Sequence, residues 1–237
     1  MIFADAGSSF CKTYSPGDDA VKIVSTRVMA RDNVKFDWGT GHTARRMSKN
    51  FENDLISLSK GALALVDETD FTMLDLGSRD SKVVSFIDRR PVQLDWSVGC
   101  AAATGVTVEM IGKFYDVDFE AVEIDSKWTS VTCGTYALER IMDSVSKGIH
   151  ENVAIGRFIH GFARNCYDFS KKPNKIYLSG GFTLNTPFIK ALSKYTEVIP
   201  MGRTVPLAGL WAFAAEKDPS LGKIPKPLIK SICKIDK

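Results

Sequence analysis

The sequence predicts an α/β fold, and three observations lead to that prediction. Short runs rich in β-branched and aromatic residues alternate with segments of helical periodicity along the chain. A strand, a polar Asp-x-Gly-Ser turn and a second strand occur twice, first around Asp5 and again around Asp75. Hydrophobic residues make up 44% of the 237 residues, which is ample for the core of one domain or two small ones.

The composition excludes several classes of function. A formal net charge of +3 is too small to indicate binding to nucleic acid. The chain has no apolar run of about 18 residues and no secretory signal, so we expect neither a membrane span nor export. Its five cysteines are an odd number without a short-range framework. A reducing cytoplasm is therefore the expected location, with thiols free for metal binding or chemistry.

The N-terminal elements are predicted as strands followed by one helix. Residues 2–4 form a strand before the turn at Asp5, and residues 10–14 pair back across that turn as a hairpin. Two more strands are predicted at 21–29 and 34–38, followed by a glycine loop at 39–42 and a helix over 44–65.

The opening pattern then recurs. Strands are predicted at 71–74 and 82–87 around the turn at 75–80, and a third glycine loop at 179–185 joins a strand to a helix at 186–194. A short strand at 197–200 and a helix at 207–216 follow. The lysine-rich segment from 217 to 237 is predicted to be extended, as a docking strap or a loose end.

The three glycine loops suggest phosphate chemistry. Glycine lets backbone N–H groups approach a phosphate, hydroxyl groups add donors, and aspartate can hold the hydrated Mg²⁺ that accompanies a nucleotide. Asp-x-Gly is also a common hairpin turn, so one loop alone indicates little. Three such loops, each after a strand, favour nucleotide binding.

Cys100 and Cys133 each open a segment that is predicted to be helical. A thiolate at a helix N-terminus is favoured by the helix dipole, and a thiolate is the form that binds soft metals. Two cysteines are too few for a four-thiolate cluster, but two copies of the chain would supply four. The alternative is that both are small buried hydrophobic residues. Cys11 and Cys166 are interpreted as structural and Cys233 as incidental, and the three histidines as surface or capping residues.

The order of the loops that begin at Asp5, Asp75 and Gly180 resembles the acetate kinase/sugar kinase/Hsp70/actin ATPase superfamily. Within it, the chain is most similar to the activators of benzoyl-CoA reductase and 2-hydroxyacyl-CoA dehydratase. That family has the cysteine segments Cys-Ala-Ala-Gly-Thr-Gly and Cys-x-x-Phe-Ala-Glu. The counterparts here are Cys100-Ala-Ala-Ala-Thr-Gly and Cys133-Gly-Thr-Tyr-Ala-Leu.

The resemblance implies a two-lobed actin-like (ribonuclease H-like) ATPase fold. A shortened N-terminal lobe would cover residues 1–66, a C-terminal lobe with the cluster helices 67–216, and a basic tail 217–237. The protein would be a homodimer with one [4Fe-4S] cluster per dimer, held by Cys100 and Cys133 of each copy. ATP or ADP with Mg²⁺ would be the other cofactors.

The resemblance also implies the site residues. The residues implied to act in catalysis are Asp5, Asp75 and Arg79. The residues implied to bind the nucleotide are Gly7, Ser8, Ser9, Lys12, Gly77, Ser78, Asp80, Lys82, Gly180, Gly181, Asn185 and Gly209.

The implied activity is an ATPase coupled to electron transfer. ATP would close the cleft between the lobes, and the protein would pass one low-potential electron to a 2-hydroxyacyl-CoA dehydratase, a benzoyl-CoA reductase or another low-potential iron–sulfur enzyme. A ferredoxin or flavodoxin would supply the electron, and an anaerobe is the expected source. No nucleic acid or membrane partner is expected.

Two alternatives remain at this point. Arg79 stands where the family has a glutamine thought to place the attacking water, and only residues 30–33 are left for a helix between the third and fourth strands. Both departures favour a nucleotide-binding subunit of a larger redox assembly with little ATPase activity of its own. The other alternative is a small-molecule kinase of the same superfamily.

Overall fold

Two sheets with the same strand order form the framework of the chain. The structure, a computed structural model, describes residues 1–97, 105–131 and 134–235. One sheet has the order β11-β3-β2-β1-β4-β5 and the other the order β10-β9-β6-β7-β8. Without β11, the first sheet has the order 3-2-1-4-5, and the second has the same order for its own strands. The repeat in the sequence is therefore a repeat of topology.

The described strands are short, as is usual for an α/β protein. They are β1 (Phe3–Ala6), β2 (Phe10–Tyr14), β3 (Val21–Ser25), β4 (Phe36–Thr40), β5 (Ser48–Phe51), β6 (Phe71–Leu76), β7 (Ser81–Ile87), β8 (Arg90–Ser97), β9 (Lys175–Gly180), β10 (Glu197–Gly202) and β11 (Cys233–Ile235). In the first sheet, β2 is antiparallel to β1 and β3, whereas β4 is parallel to β1 and β5. The central strands β1 and β6 are buried along their whole length.

The described helices lie mostly between the strands. They are α1 (Thr26–Arg31), α2 (Asp54–Leu65), α3 (Gly105–Tyr115), α4 (Gly134–Ser146), α5 (Glu151–Phe169), α6 (Thr186–Leu192), α7 (Val205–Lys217) and α8 (Lys226–Ile229). Asparagine side chains cap two of them: Asn53 accepts from the amide of Leu55 at the start of α2, and Asn185 from that of Phe188 at the start of α6. In the described part of the chain, no helix is both long and apolar enough to cross a membrane.

The chain divides into two compact units. Unit 1 comprises Met1–Met73, Val84–Asp95 and Met201–Lys237, and unit 2 comprises Leu74–Val83 and Trp96–Pro200. In unit 1, α2 and α7 pack so closely that a Cβ on Gly61 or Gly209 would overlap a carbonyl oxygen of the other helix. In unit 2, a single apolar core contains side chains from α3, α4, α5 and α6.

Several elements differ from the sequence predictions. The strand predicted at 21–29 ends at Ser25, and the helix α1 follows it, so the third and fourth strands are separated by a short helix. The helix predicted over 44–65 is split into a 3-10 turn, β5 and α2, and β8 was not predicted. The basic segment is not a loose end in its described part, because β11 pairs in parallel with β3.

Candidate functional site

The first Asp-Gly-Ser loop holds an acid and a base side by side. Asp5 is the penultimate residue of β1, not part of the turn as predicted, and it lies opposite Lys12 in the β1–β2 register. Lys12 Nζ donates to Asp5 Oδ2 at 2.5 Å, and both side chains are largely buried. The sheet itself thus brings together a predicted metal-associated carboxylate and a predicted phosphate-binding cation.

The turn between β1 and β2 is braced by α1. The Gly7 amide donates to the Phe10 carbonyl, which closes the turn. Thr26, the first residue of α1, donates from its hydroxyl to the Gly7 carbonyl at 2.8 Å and from its amide to the Ser9 carbonyl at 3.0 Å. Sequence reasoning missed Thr26 because it placed this residue in the middle of a strand. Ser25, a residue type typical of the position before a helix, was the available signal.

The end of β4 also reaches this loop. Thr40 lies beside Asp5 in the parallel β1–β4 register, and its fully buried hydroxyl has no hydrogen-bond partner among the described residues. Gly41 has φ +93°, and a Cβ there would lie 2.9 Å from Asp5 Oδ1 and 2.7 Å from the Ala6 carbonyl oxygen. Only glycine fits this approach to the carboxylate. Neither residue was among the predicted site residues, although the Gly-Thr-Gly run after a strand was visible.

The second Asp-Gly-Ser loop, in unit 2, also has an aspartate near the end of a strand, a closed turn and a lysine bonded to a carboxylate. Asp75 is the penultimate residue of β6 and is 8% exposed. The turn closes through the Gly77 amide, which donates to the Asp80 carbonyl at 3.0 Å, and Lys82 Nζ donates to Asp80 Oδ1 at 2.8 Å. Arg79 is exposed within this turn. Asp80 and Lys82 are thus brought together, as Asp5 and Lys12 are in the first loop.

This second loop is bonded to helix α3. The amides of Gly105 and Val106 donate to the carbonyls of Gly77 and Ser78 at 3.1 and 3.0 Å. A Cβ on Gly105 would lie 2.9 Å from the Gly77 carbonyl oxygen, so the helix and the loop are in backbone contact. A displacement of the loop would therefore act directly on α3.

The third glycine loop lies against the end of β6. Gly180 has φ +91°, and a Cβ there would overlap the carbonyl oxygen of Leu76, the residue after Asp75. Ser179, at the start of this loop, has a fully buried hydroxyl without a hydrogen-bond partner in the described part of the chain. Asn185 Oδ1 is engaged in capping α6.

Gly209 lies in the contact between α2 and α7 of unit 1. Glycine is needed at this position for helix packing, because a Cβ there would overlap the Ser57 carbonyl oxygen. The structure thus gives Gly209 a packing role, and its predicted role in nucleotide binding stays a prediction.

Cys100 and Cys133, the predicted cluster ligands, lie outside the described residues. The three described cysteines have raised pKa values: burial, reinforced by Asp5, raises the pKa of Cys11 to about 12, and burial also raises the pKa of Cys166 and of Cys233. Their thiols are thus held in the neutral form, which disfavours metal binding. Over residues 1–97, 105–131 and 134–235, no group of three or more His, Cys, Asp or Glu could hold a metal ion.

The helices that follow the two cysteines share one core. Val108 and Ile111 of α3 and Ala137 and Ile141 of α4 are buried in the core of unit 2. The sequence predicts an apolar face of α4 made of Leu138, Ile141, Met142 and Val145. Ile141 is buried in this core and Leu138 and Val145 pack against it, whereas Met142 is 38% exposed, so the prediction is wrong at that residue.

The histidine interpretation is confirmed only in part. His150 caps α5, accepting from the amide of Asn152, whereas His160 is buried and is neither a surface nor a capping residue.

The chain has the fold of solved dehydratase activators. It matches the activator of the 2-hydroxyisocaproyl-CoA dehydratase from Clostridium difficile, solved with bound ADPNP, with a TM-score of 0.74 and 19% identity over 93% of this chain and 96% of that one. It matches component A of the (R)-2-hydroxyglutaryl-CoA dehydratase from Acidaminococcus fermentans with a TM-score of 0.75 and 17% identity over 92% and 98% of the two chains.

A more distant match extends to a kinase fold. A protein assigned as a 2-dehydro-3-deoxygalactonokinase from Sinorhizobium meliloti gives a TM-score of 0.57 and 14% identity over 92% of this chain and 99% of that one. No protein-family model matches the sequence, and no curated protein does. The predicted α/β fold of the actin-like ATPases is therefore confirmed, on structural similarity at low identity.

Proposed function

We propose that this chain is an ATP-dependent iron–sulfur activator that passes a low-potential electron to a partner enzyme, such as a 2-hydroxyacyl-CoA dehydratase or a benzoyl-CoA reductase. The observation that supports this most is the backbone bonding between the second Asp-Gly-Ser loop and α3, the helix that follows Cys100. It gives a route by which a nucleotide at the loop acts on a cysteine-bearing segment. The fold shared with two dehydratase activators supports the same function.

The nucleotide would be bound as its Mg²⁺ complex by the glycine loops. In the first loop, Asp5 is the proposed ligand of the hydrated metal ion and Lys12 the proposed phosphate contact. In the second loop, Asp75 and Lys82 are proposed for the same two roles. Two observations support the fit. Gly41 and Gly180 keep the backbone beside these carboxylate-bearing strands free of side chains. The hydroxyls of Thr40 and Ser179, near the same strand ends, have no partner among the described residues. The C. difficile activator binds the ATP analogue ADPNP.

The cluster would be held by Cys100 and Cys133 from each of two copies. When bound, a [4Fe-4S] cluster supplies one-electron chemistry, and its potential depends on the charges and hydrogen bonds around it. The shared core of α3 and α4 supports this part of the proposal, since the helices that follow the two cysteines belong to one body. Met110 and Phe114 of α3 are 62% and 63% exposed, and this apolar surface supports a protein contact on that helix.

The second candidate is a nucleotide-binding subunit of a redox assembly with little ATPase activity. Arg79 favours it, because this residue is exposed in the second loop where the activator family has a glutamine. An arginine can bind phosphate but cannot orient an attacking water as an amide does. A small-molecule kinase is the third candidate, supported by the more distant kinase match.

Anaerobic purification of the full-length chain tests the proposed function. The expected result is a dimer with about four iron and four sulfide per two chains, a stoichiometry that follows from four thiolate ligands. Cys100→Ala and Cys133→Ala should each lose the iron, whereas Cys233→Ala, the matched control, should keep it. An iron-free monomer would contradict the cluster and the dimer together.

ATP turnover then separates the activator from the other two candidates. An activator hydrolyses ATP, and Asp5→Asn or Asp75→Asn should reduce the rate by at least about a hundredfold if the carboxylates hold the metal ion. Arg79→Gln should raise a slow rate if the arginine is what limits hydrolysis. A protein that binds iron and nucleotide but turns over no ATP in either form would be the silent subunit, and phosphorylation of an added sugar would indicate the kinase.

A further inference from the structure

We propose that helix α5 positions the Cys133 thiol by holding the segment that leads to it. This segment, residues 122–131 and called the strap below, runs along α5 in unit 2 and ends two residues before Cys133. The proposal rests on the proposed function insofar as Cys133 is the cluster ligand. It assigns to α5 a role in setting where one of the two ligands stands.

Two glycines let the strap lie directly on the helix. A Cβ on Gly156 would overlap the carbonyl oxygen of Glu123, and a Cβ on Gly161 would overlap that of Thr129. Both glycines are in the interior of a 19-residue helix, where glycine costs about 0.5–1 kcal/mol relative to alanine. The close approach of the strap backbone accounts for their presence.

Polar side chains of α5 fix the middle of the strap. Arg157 Nε donates to Asp125 Oδ2 at 2.9 Å, and the Arg157 carbonyl accepts from the Thr129 amide at 2.9 Å. His160 is 3% exposed, with Nδ1 at 2.9 Å from the Lys127 carbonyl oxygen and Nε2 at 2.9 Å from the Tyr195 hydroxyl. The strap is therefore held at successive points along the helix.

The last residues of the strap are held most tightly. Asn165 Nδ2 donates to the Val131 carbonyl at 2.6 Å, and Arg140 of α4 donates to the Ser130 carbonyl at 2.8 Å. The Val131 side chain is buried in the core of unit 2. Three consecutive carbonyls, those of residues 129–131, are thus in contact with α5 or α4 just before Cys133.

The consequence is that the strap is held by hydrogen bonds and close packing up to Val131, two residues before Cys133. Groups behind a metal ligand commonly orient it and tune the metal. Asn165 and Arg140 are positioning residues in this sense. They bond the segment that precedes Cys133, whereas α3, which follows Cys100 in the chain, is bonded to the second loop.

The five cysteines allow this to be measured thiol by thiol. Iron-free full-length protein would be prepared anaerobically and treated with iodoacetamide, and the rate at each cysteine read by peptide mass spectrometry. In Asn165→Ala, the loss of one hydrogen bond should speed alkylation of Cys133 by roughly fivefold, through more frequent local opening. Cys100 and Cys233 should keep their rates, and the buried Cys11 and Cys166 should stay unreactive.

Arg140→Ala is the second variant, because Arg140 is exposed and its loss leaves the core intact. Thr196→Val is the matched control. It also removes one side-chain bond to a carbonyl, from Thr196 Oγ1 to Pro173 at 2.8 Å, in the same unit, and this bond does not involve residues 122–131. In protein that carries the cluster, Asn165→Ala should shift or broaden the electron paramagnetic resonance signal of the reduced cluster, and Thr196→Val should not.

Two results would overturn the proposal. One is an unchanged Cys133 rate in Asn165→Ala, whatever Arg140→Ala of α4 does. The other is an equal acceleration at all five cysteines, which would mean general loosening of the fold. Wild-type protein without iron would contradict the proposed function only, since the thiol rates of the iron-free protein still decide whether α5 positions Cys133.

Discussion

At the scale of single residues, the two halves of the repeat place the same chemistry at the same point. Asp5 and Asp75 are penultimate residues of the central strands β1 and β6, and a lysine follows each aspartate by seven positions, at Lys12 and Lys82. Each lysine donates to a carboxylate of its own loop. The Asp5–Lys12 pair is largely buried, and buried ion pairs are poor sources of stability, so a role in binding charge explains this pair better.

Matched substitutions of Thr40 and Thr26 test whether the buried Thr40 hydroxyl contributes a hydrogen bond to the stability of the ligand-free protein. Thr40→Val removes a buried hydroxyl without a described partner, so the ligand-free protein should be unchanged or more stable by up to about 1–2 kcal/mol. Thr26→Val, the same substitution at another buried site, removes the bond to the Gly7 carbonyl and should cost about 1 kcal/mol. Urea denaturation measures both. Equal destabilisation by the two variants would contradict this assignment.

The raised pKa of Cys11 predicts how the free energy of unfolding depends on pH in the alkaline range. Burial raises the pKa of its thiol from 9.0 to about 12, so the neutral thiol is favoured in the folded state. The stabilisation is complete below pH 9 and is lost as the pH rises toward 12, at about 1.4 kcal/mol per pH unit. Tyr14, Tyr115 and Tyr195 also have raised pKa values and act in the same direction.

The comparison of wild type with Cys11→Ala isolates the thiol. Between pH 9 and about 11, the free energy of unfolding of the wild type should fall more steeply than that of the variant, by about 1.4 kcal/mol per pH unit. Urea denaturation under reducing conditions gives both slopes. Parallel slopes would show that the pKa of the Cys11 thiol is the same in the folded and unfolded states.

At the scale of elements, the strands around the loops were predictable and the first helix was not. The alternation and turn residues around Asp5 and Asp75 indicate strands locally, because side-chain direction in a strand has a period of two. Residues 21–29 contain the β-branched run expected of one long strand. The chain nevertheless turns into α1 at Thr26, whose bonds to the first loop are tertiary and cannot be read from the local sequence.

The contact between α3 and the second loop gives a prediction at this scale. Alanine is normally favoured over glycine in a helix by about 0.5–1 kcal/mol. Gly105→Ala should instead destabilise the protein by about 1–3 kcal/mol and weaken nucleotide binding, because its Cβ would press on the loop backbone at Gly77. Calorimetric titration with ADP would measure the affinity.

Gly112→Ala is the matched control in the same helix. A Cβ there would lie 2.8 Å from the ring of Phe119, a side chain that can shift, and it would not touch the loop. The nucleotide affinity of this variant should equal that of the wild type. Equal affinities in all three proteins would show that the contact at Gly105 does not carry the effect of the nucleotide.

At the scale of the whole molecule, the basic C-terminal segment belongs to unit 1. Leu228 of α8 is fully buried in a core of that unit, and Thr204 donates to the Leu228 carbonyl at 2.7 Å. β11 then pairs with β3 at the edge of the first sheet. Lysine and proline dominate the composition of this segment, so its few buried aliphatic residues were easy to overlook.

Leu228→Ala tests that docking. The loss of a fully buried leucine should lower the free energy of unfolding by about 2–4 kcal/mol. Ile229→Ala changes the neighbouring residue, which is 47% exposed, and should cost less than about 1 kcal/mol. Thermal and urea unfolding measure both. Similar small effects would mean that the segment contributes little to unit 1.

The sequence by itself determined the repeated strand–turn–strand pattern, the three glycine loops and the α/β class, because these depend on local periodicity and on backbone conformations that glycine allows. Only the tertiary structure decided that Asp5 and Asp75 belong to central strands, that Thr40 and Gly41 lie beside Asp5, and that α3 is bonded to the second loop. The reason is physical. Each of these features is a contact between segments far apart in the chain. Such contacts are set by strand register and close packing, and these two properties leave no periodic pattern in the sequence.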